Sequence, residues 1–554
     1  MLKNGRPTQQ TQQPPQSRST PRERWTRWLG QTREVRLQRI RRVGRRLHLN
    51  PAAWISGLVA VGVVLFICYL HVSRTVAVDS DGASNALQAW AMLHGNPLLR
   101  GWHLSDVSFY TTELPEYMLI EVLRGLTPEV VHIGAALTYT LLVLLTALLA
   151  KGSARGRAGL LRALLAAGIM LAPQQSGASV LLLSPDHVGS TVPVLALWLI
   201  LDRAPRRWYV PVAAWMLLAW ALIADSIVLI TGVVPLAAVA VARGYQMVVQ
   251  RRQPARSALF ELSLLIAAIA ATETAYHVLA LIAGRGGFIV WPISHQIAPF
   301  GQLPSNFMLT IQGILLLFGA NFLGQPVGLA AALAALHLIG IVLAGWAVCV
   351  AVRRFAGQDI AVQLMAVGLL FSLAAYVFGT VPFNLNSTRE FTAVLPLGAA
   401  LAGRLLAGRL AKARLGPALS AVLVCYLVSL GLLVAQPPVP AQDQALAGWL
   451  STHRLDYGLA GYWDANIVTV DTGGMVAVRD IKDVNGQLQP DTWEVQRGWY
   501  RPTSHVANFV VIGSPPPSGL LRTLRANFGR PVKIYNVDDH IVLVWRKNLL
   551  ASLR

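Results

Sequence analysis

Runs of about twenty apolar residues, separated by short polar breaks, recur along the chain from residue 52 to residue 435. They fall at 52–70, 130–150, 160–173, 188–201, 209–224, 226–242, 258–283, 327–352, 360–380, 391–408 and 417–435, and they predict eleven transmembrane helices. Several are shorter than the roughly 20 residues a straight span needs, which predicts ends resting in protein-lined cavities. A further apolar stretch, Asn306–Leu323, has both ends on one side by charge alternation and reads as re-entrant or interfacial. Two regions break this texture. Residues 71–128 form a long polar loop with helical patterns of their own. After Val434, "AQPPVPAQ" reads as a linker into a helical period around Leu446, Trp449 and Leu450. Strand-like runs follow at Ile467–Val470, Met475–Val478, Phe509–Ile512 and Ile541–Trp545, with a helix near Leu520–Phe528. The fold class that follows is an α-helical multi-span membrane protein with a C-terminal α/β domain. The divisions are 1–50, 51–435 and 436–554.

Composition agrees, since 54% of the 554 residues are hydrophobic and 13% charged, too apolar for a soluble chain of this size. The three cysteines, Cys68, Cys349 and Cys425, each sit inside an apolar run and suggest neither a disulfide framework nor a metal site. The net charge of +21 changes the picture only once it is mapped. Of 47 Lys and Arg, 13 precede residue 47 and 17 lie in loops 151–162, 202–208, 243–256, 353–359 and 404–414. The alternating loops, near 74–128, 285–305 and 381–390, hold five. This is the positive-inside asymmetry, and it places the N-terminus in the cytoplasm and the C-terminal domain outside. Orientation accounts for the charge, so nucleic-acid binding is not needed to explain it. Residues 1–20, rich in Gln, Pro and Ser, read as disordered. Residues 22–47 interleave Trp25, Trp28, Leu29, Leu37, Ile40 and Val43 with arginines. They read as a helix on anionic lipids of the inner leaflet, or as a solvated basic tail that only sets orientation. High Ala, Arg and Leu usage fits a GC-rich bacterium, and the location expected is a bacterial plasma membrane.

The predicted outer face is acidic where the inner face is basic. "VDSDGASNALQAWAMLHGN" places Asp79 and Asp81 directly after the first span. Either is a candidate general base, and a helix N-cap is an equally complete account of Asp81. Asp186 and His187 stand together in "LLLSPDHVGS", Asp225 lies at a turn between spans, and "VPFNLNSTREF" brings Asn384, Asn386, Arg389 and Glu390 to the same face. Asp186–His187 also reads as a polar turn, and Arg389 as an interfacial anchor. Glu273 and His277 lie four residues apart on one predicted span. They are candidates to line a carrier cavity or relay a proton, or else a packing pair. Tyr462, Trp463 and Asp464 could hold a sugar ring, or could be a packed domain edge. An Asp-x-Asp pair alone indicates no metal, and no cofactor follows from the sequence, although a divalent ion remains compatible with it.

A long first outer loop that starts with aspartate, then an interfacial helix ending in glycine, resembles the GT-C superfamily of membrane glycosyltransferases. The eleven spans and a C-terminal outer domain resemble it too. The family pattern is an acid pair, an aromatic soon after, and a glycine about fourteen positions on. Counting back from Gly95 selects Asp81, with Gly82 where the pattern has its second acid and Asn85 where it has its aromatic. The resemblance implies transfer of a sugar from a polyprenyl-phosphate carrier to an envelope glycan, lipid or protein acceptor on the outer face. On the residues themselves, Asp81 or Asp79 would be the base, Arg389 the phosphate clamp and His187 its support, since a departing phosphate needs fixed positive charge more than a general acid. A transporter or lipid flippase, favoured by Glu273 and His277, and a non-catalytic scaffold are the competing classes.

Overall fold

A computed structural model describes residues 51–204, 206–292 and 296–553. The predicted basic tail, with its amphipathic stretch, lies outside the described residues. The chain divides into two compact units, 1–59 and 60–554. The described part of the first is the start of helix Pro51–Ser73.

Every apolar run predicted as a span is helical. Among the described residues eight helices are long and apolar enough to cross a membrane, or nine if the pair Gly156–Met170 and Gln175–Leu181, bent by 98°, counts as one. The protein is therefore a multi-span membrane protein, with eight or nine candidate spans by length and composition where the sequence predicts eleven. Helices Gly156–Met170, Val188–Arg203 and Tyr209–Ala224 have 15, 16 and 16 residues. At 1.5 Å per residue they reach about 23 Å, short of a hydrocarbon core of about 30 Å. Val188–Arg203 buries Leu195, Leu197, Trp198 and Leu201 among its neighbours, so protein rather than lipid surrounds much of it.

Side-chain contacts sort the loops into two ends. At one, Arg404 pairs with Asp202 and Asp359 and donates to the Leu149 carbonyl at 2.8 Å, joining four of the arginine-rich connections. At the other, the polar loops meet one another. Helix Leu303–Leu317 starts there, since Asn306 donates to the carbonyls of Val377 and Gly379 at 3.0 and 2.9 Å, and beyond its other end Gly319 packs against His337, Ala172 and Gln174.

The C-terminal region is a mixed six-stranded sheet. In chain order β1 is Trp102–His103, β2 Tyr457–Ala460, β3 Ala477–Val484, β4 Gln487–Pro490, β5 Val495–Gln496, β6 Phe509–Gly513, β7 Lys533–Val537 and β8 His540–Val544. The sheet order is β4-β3-β2-β6-β8-β7, with β2 parallel to β3 and β6. Alternation along β6 sends Phe509 and Val511 to one face and Val510 and Ile512 to the other, so both faces are covered. The predicted strand at Ile467–Val470 is instead part of helix Tyr462–Asp471. A β-branched run favours strand locally, but here Ile467 and Val470 reach the core of the polar loop while Val468 joins the sheet's core, an arrangement that needs helical spacing.

That helix docks the sheet onto the polar loop 71–128. Its partner is helix Ser80–Leu93, N-capped by Asp79, whose carboxylate accepts from the Gly82 amide at 2.9 Å. The Ser80 hydroxyl donates to the Tyr462 carbonyl, and β1 pairs antiparallel with β5. Gly82 is required by packing, because a Cβ there would lie 2.9 Å from Val131 Cγ1 of helix Glu129–Lys151. This close approach explains why no second acid stands at that position. Gly82→Leu should lower the thermal midpoint of the purified protein, with overpacking costing about 1–3 kcal/mol. Gly431→Leu, where a Cβ meets nothing within 4 Å, should leave it unchanged. Equal midpoints for both variants would contradict the packing account.

Candidate active site

Four elements converge where the polar loops meet: the start of helix Ser80–Leu93, the turn before helix Val188–Arg203, the 3-10 turn Leu385–Phe391, and the C-terminal domain through Tyr462 and Glu494. They enclose a cavity of about 470 Å³ whose lining includes Asp81, Asp106, Asp186, His187, Arg389 and Glu390.

The two aspartates after the first span play different parts. Asp79 is the cap. Asp81, one residue into the helix, is free of capping and faces the cavity, so the expectation that Asp81 caps the helix is corrected. Arg389 Nη1 donates to Asp81 Oδ2 at 2.8 Å, while Nη2 stands 3.7 Å from Asp79, beyond hydrogen-bond reach. Asp79 instead lines a smaller cavity of about 190 Å³ on the other side of Arg389. On Asp81's second oxygen, the Tyr462 hydroxyl lies 2.5 Å from Oδ1 and 2.7 Å from Glu494 Oε2. The Tyr462 hydroxyl thus bridges Asp81 and Glu494. Burial, with the charge of Asp81, pushes Glu494 well above the carboxylate range.

His187 sits between two acids. Its Nδ1 is 2.9 Å from Asp225 Oδ2, which also accepts from the Ser190 hydroxyl at 2.8 Å, and its Nε2 is 3.6 Å from Glu390 Oε1. Burial opposes charge on the ring, but Glu390 and Asp225 outweigh it and raise the imidazole well above its ordinary value. Burial likewise opposes charge on Arg389, and Asp81 and Asp79 raise its pKa. The cavity thus holds two fixed cations among buried acids. Asp186 is clamped by the Asn85 amide and the Ser184 hydroxyl, both at 2.8 Å, and burial raises it. Burial also raises Asp106 and Glu390. His187 and Glu494 both have left-handed backbone, φ 59° and 53°, a conformation that non-glycine residues hold only under constraint from their surroundings.

A second cavity, of about 450 Å³, shares Asp106, Val107, Phe383, Glu390 and Trp493 with the first. It continues between helices Leu229–Gln250 and Ile360–Phe378, along Ile227, Ile230, Ala375 and Tyr376. The two cavities therefore adjoin, the charged side chains of Asp81, Asp186, His187 and Arg389 lining only the first and the second reaching between two membrane helices.

No family model and no curated protein matches the chain. It is similar to a crystal structure of the oligosaccharyltransferase of Archaeoglobus fulgidus in complex with zinc and sulfate, at 12% identity and a TM-score of 0.45, over 88% of this chain and 75% of that one. At that distance the geometry of the cavity has to carry the chemistry.

Of the residues singled out in the sequence, Asp81, Asp186, His187 and Arg389 line one cavity, and Asp79 adjoins it through Arg389. Glu273 and His277 do not. Their facing atoms are 3.9 Å apart, but the side chains are 66% and 75% exposed on the outer side of their helix and line none of these cavities. Polar residues in a span face a cavity by default; these two face away, which corrects the carrier-cavity expectation and removes the pair that favoured transport. Glu494 and Trp493 were not legible in the sequence. They lie far along the chain in a region without periodicity, and the β1–β5 pairing next to them, with the Tyr462 hydroxyl on Glu494, brings them to the site.

Asp79 gives a measurable pH signature. Burial first, then the charge of Asp81, pushes it up to about 7. An unfolded aspartate loses its proton near pH 4, so between about 4 and 7 the native state binds more protons and stability falls as pH rises, levelling above 7. Relative to Asp79→Asn, wild-type protein should lose thermal stability across that window and no further beyond it. A difference that stays constant from pH 4 to pH 8 would contradict the assignment.

Proposed function

We propose that the protein is a membrane glycosyltransferase that moves a hexosyl or pentosyl unit from a polyprenyl-phosphate carrier to an acceptor hydroxyl on the outer face of a bacterial plasma membrane. The observation that carries this reading is a cavity in which Asp81 meets Arg389 and His187, adjoining a second cavity that reaches between two membrane helices. A lipid phosphate ester has this division, with a charged head and a hydrocarbon tail. In this reading the isoprenoid lies along Ile227, Ile230 and Tyr376, and the sugar rests in the acid-lined chamber with Trp463 and Trp493 as stacking surfaces.

Asp81 accepts the proton of the acceptor hydroxyl as its oxygen attacks the anomeric carbon. The bond from that carbon to phosphate breaks, and polyprenyl phosphate leaves with the electron pair. A single displacement of this kind inverts the anomeric configuration. Arg389 and protonated His187 supply fixed positive charge to the departing phosphate without reorganisation. The ion pair between Asp81 and Arg389 sets both groups before substrate arrives. Tyr462, bonded to Asp81's other oxygen, restricts its rotation.

Transfer of labelled sugar from a polyprenyl-phosphate donor by the purified protein tests each role separately. Asp81→Asn should lower turnover about 100-fold or more while the donor still binds, the range of a lost general base. Arg389→Lys keeps the charge but loses the planar fork, and should weaken donor binding roughly tenfold. Full turnover in the first variant removes the base. Unchanged donor affinity and rate in the second removes the clamp.

A further inference from the structure

On the far side of helix Tyr462–Asp471 from the cavity, three ligating groups from distant parts of the C-terminal region meet. They are Asp443, just before helix Gln444–Thr452; Asp464, in the first turn of Tyr462–Asp471; and His540, the first residue of β8. One donor atom from each lies within 4.8 Å of the other two. His540 Nε2 is 3.7 Å from Asp443 Oδ1 and 3.8 Å from Asp464 Oδ1. Ligands about 2.1 Å from a shared tetrahedral ion stand roughly 3.4 Å from one another, so a small contraction closes the set.

Asp443 points to an occupant. It stands at a helix N-cap, where aspartate ordinarily accepts from the amides of the first turn, yet its side chain makes no such bond. The side chain is fully buried, and both carboxylate oxygens lack a hydrogen-bond partner. A buried carboxylate without partners is costly. His540 alone does not balance its surroundings, which also hold Asp464, Asp539 and Asp471. The other ring nitrogen of His540, Nδ1, lies 2.8 Å from Asp539 Oδ1. That approach is not a hydrogen bond, while Nε2 on the opposite side of the ring faces Asp443 and Asp464.

We propose that Asp443, Asp464 and His540 bind a divalent transition-metal cation of the zinc class, which ties the start of helix Tyr462–Asp471 to β8 and to the segment that enters the domain. One imidazole nitrogen and two carboxylate oxygens suit zinc or manganese better than calcium, which prefers an all-oxygen shell. Asp464 is two residues from Tyr462, so the ion acts on the cavity through that helix, holding the tyrosine against Asp81. It is a structural site, and its test does not depend on the transfer reaction.

Full-length purified protein, stripped with chelator and dialysed against zinc chloride, should retain one zinc per chain by elemental analysis, and its thermal midpoint should rise. Asp443→Asn and His540→Ala should each lose that zinc. Asp81→Asn should retain it. If the ligand variants do not fold, the wild-type measurements decide. No retained zinc and no chelator-sensitive midpoint would overturn the site, leaving an imidazolium–carboxylate cluster only. Zinc lost in Asp81→Asn but kept in Asp443→Asn would overturn it by placing the ion in the cavity instead.

Discussion

The contact between Arg389 and Asp81 is the constraint on which the rest of the site depends. It joins the turn before one late helix to the first turn after the first span, 308 residues apart in sequence. Neither group is comfortable alone in a partly buried chamber, and each supplies what the other lacks. Tyr462 completes the arrangement from the C-terminal domain by binding the oxygen of Asp81 that Arg389 leaves open. Membrane helices, polar loop and sheet are thereby fixed to one carboxylate. The domain is a wall of the chamber as well as an appendage beyond the membrane segments.

Around that contact the chamber concentrates acids. Burial raises Asp79, Asp106, Asp186, Glu390 and Glu494 together, and the protein holds them in different ways. Asp186 is hydrogen-bonded by Asn85 and Ser184, Asp79 takes a helix amide, Glu390 stands beside the His187 ring, and Glu494 accepts from the Tyr462 hydroxyl. Asp81 differs from these because its partners are a cation and a phenol donor at the cavity wall. A residue so placed suits the role of a base better than its capped neighbour does. The left-handed backbone at His187 and Glu494 shows local strain in the same place, as expected where surroundings over-determine a geometry.

Much of this was legible from hydrophobic patterning. The apolar runs are helices, the basic and polar loops gather at opposite ends, and Asp81, Asp186, His187 and Arg389 meet. What patterning could not resolve follows from two physical facts. Length sets a limit that hydrophobicity alone does not, so the helices containing Pro193 and Trp215 read as spans while their 16 residues fall short of a bilayer. Tertiary packing also overrides local preference. Ile467–Val470 is β-branched yet helical because its two sides serve two cores, and Glu273 and His277 share a face that turns outward rather than into a cavity. Gly82 and Asn85 each have a local reason: one admits Val131 and the other holds Asp186.

The most direct test of the central claim is an experimental structure of the protein with a non-transferable polyprenyl-phosphate-sugar analogue. The account predicts the phosphate within hydrogen-bond distance of the Arg389 guanidinium, the sugar beside Asp81, and the isoprenoid between helices Leu229–Gln250 and Ile360–Phe378. An analogue bound elsewhere, with Asp81 and Arg389 still closed on each other and the chamber empty, would contradict it.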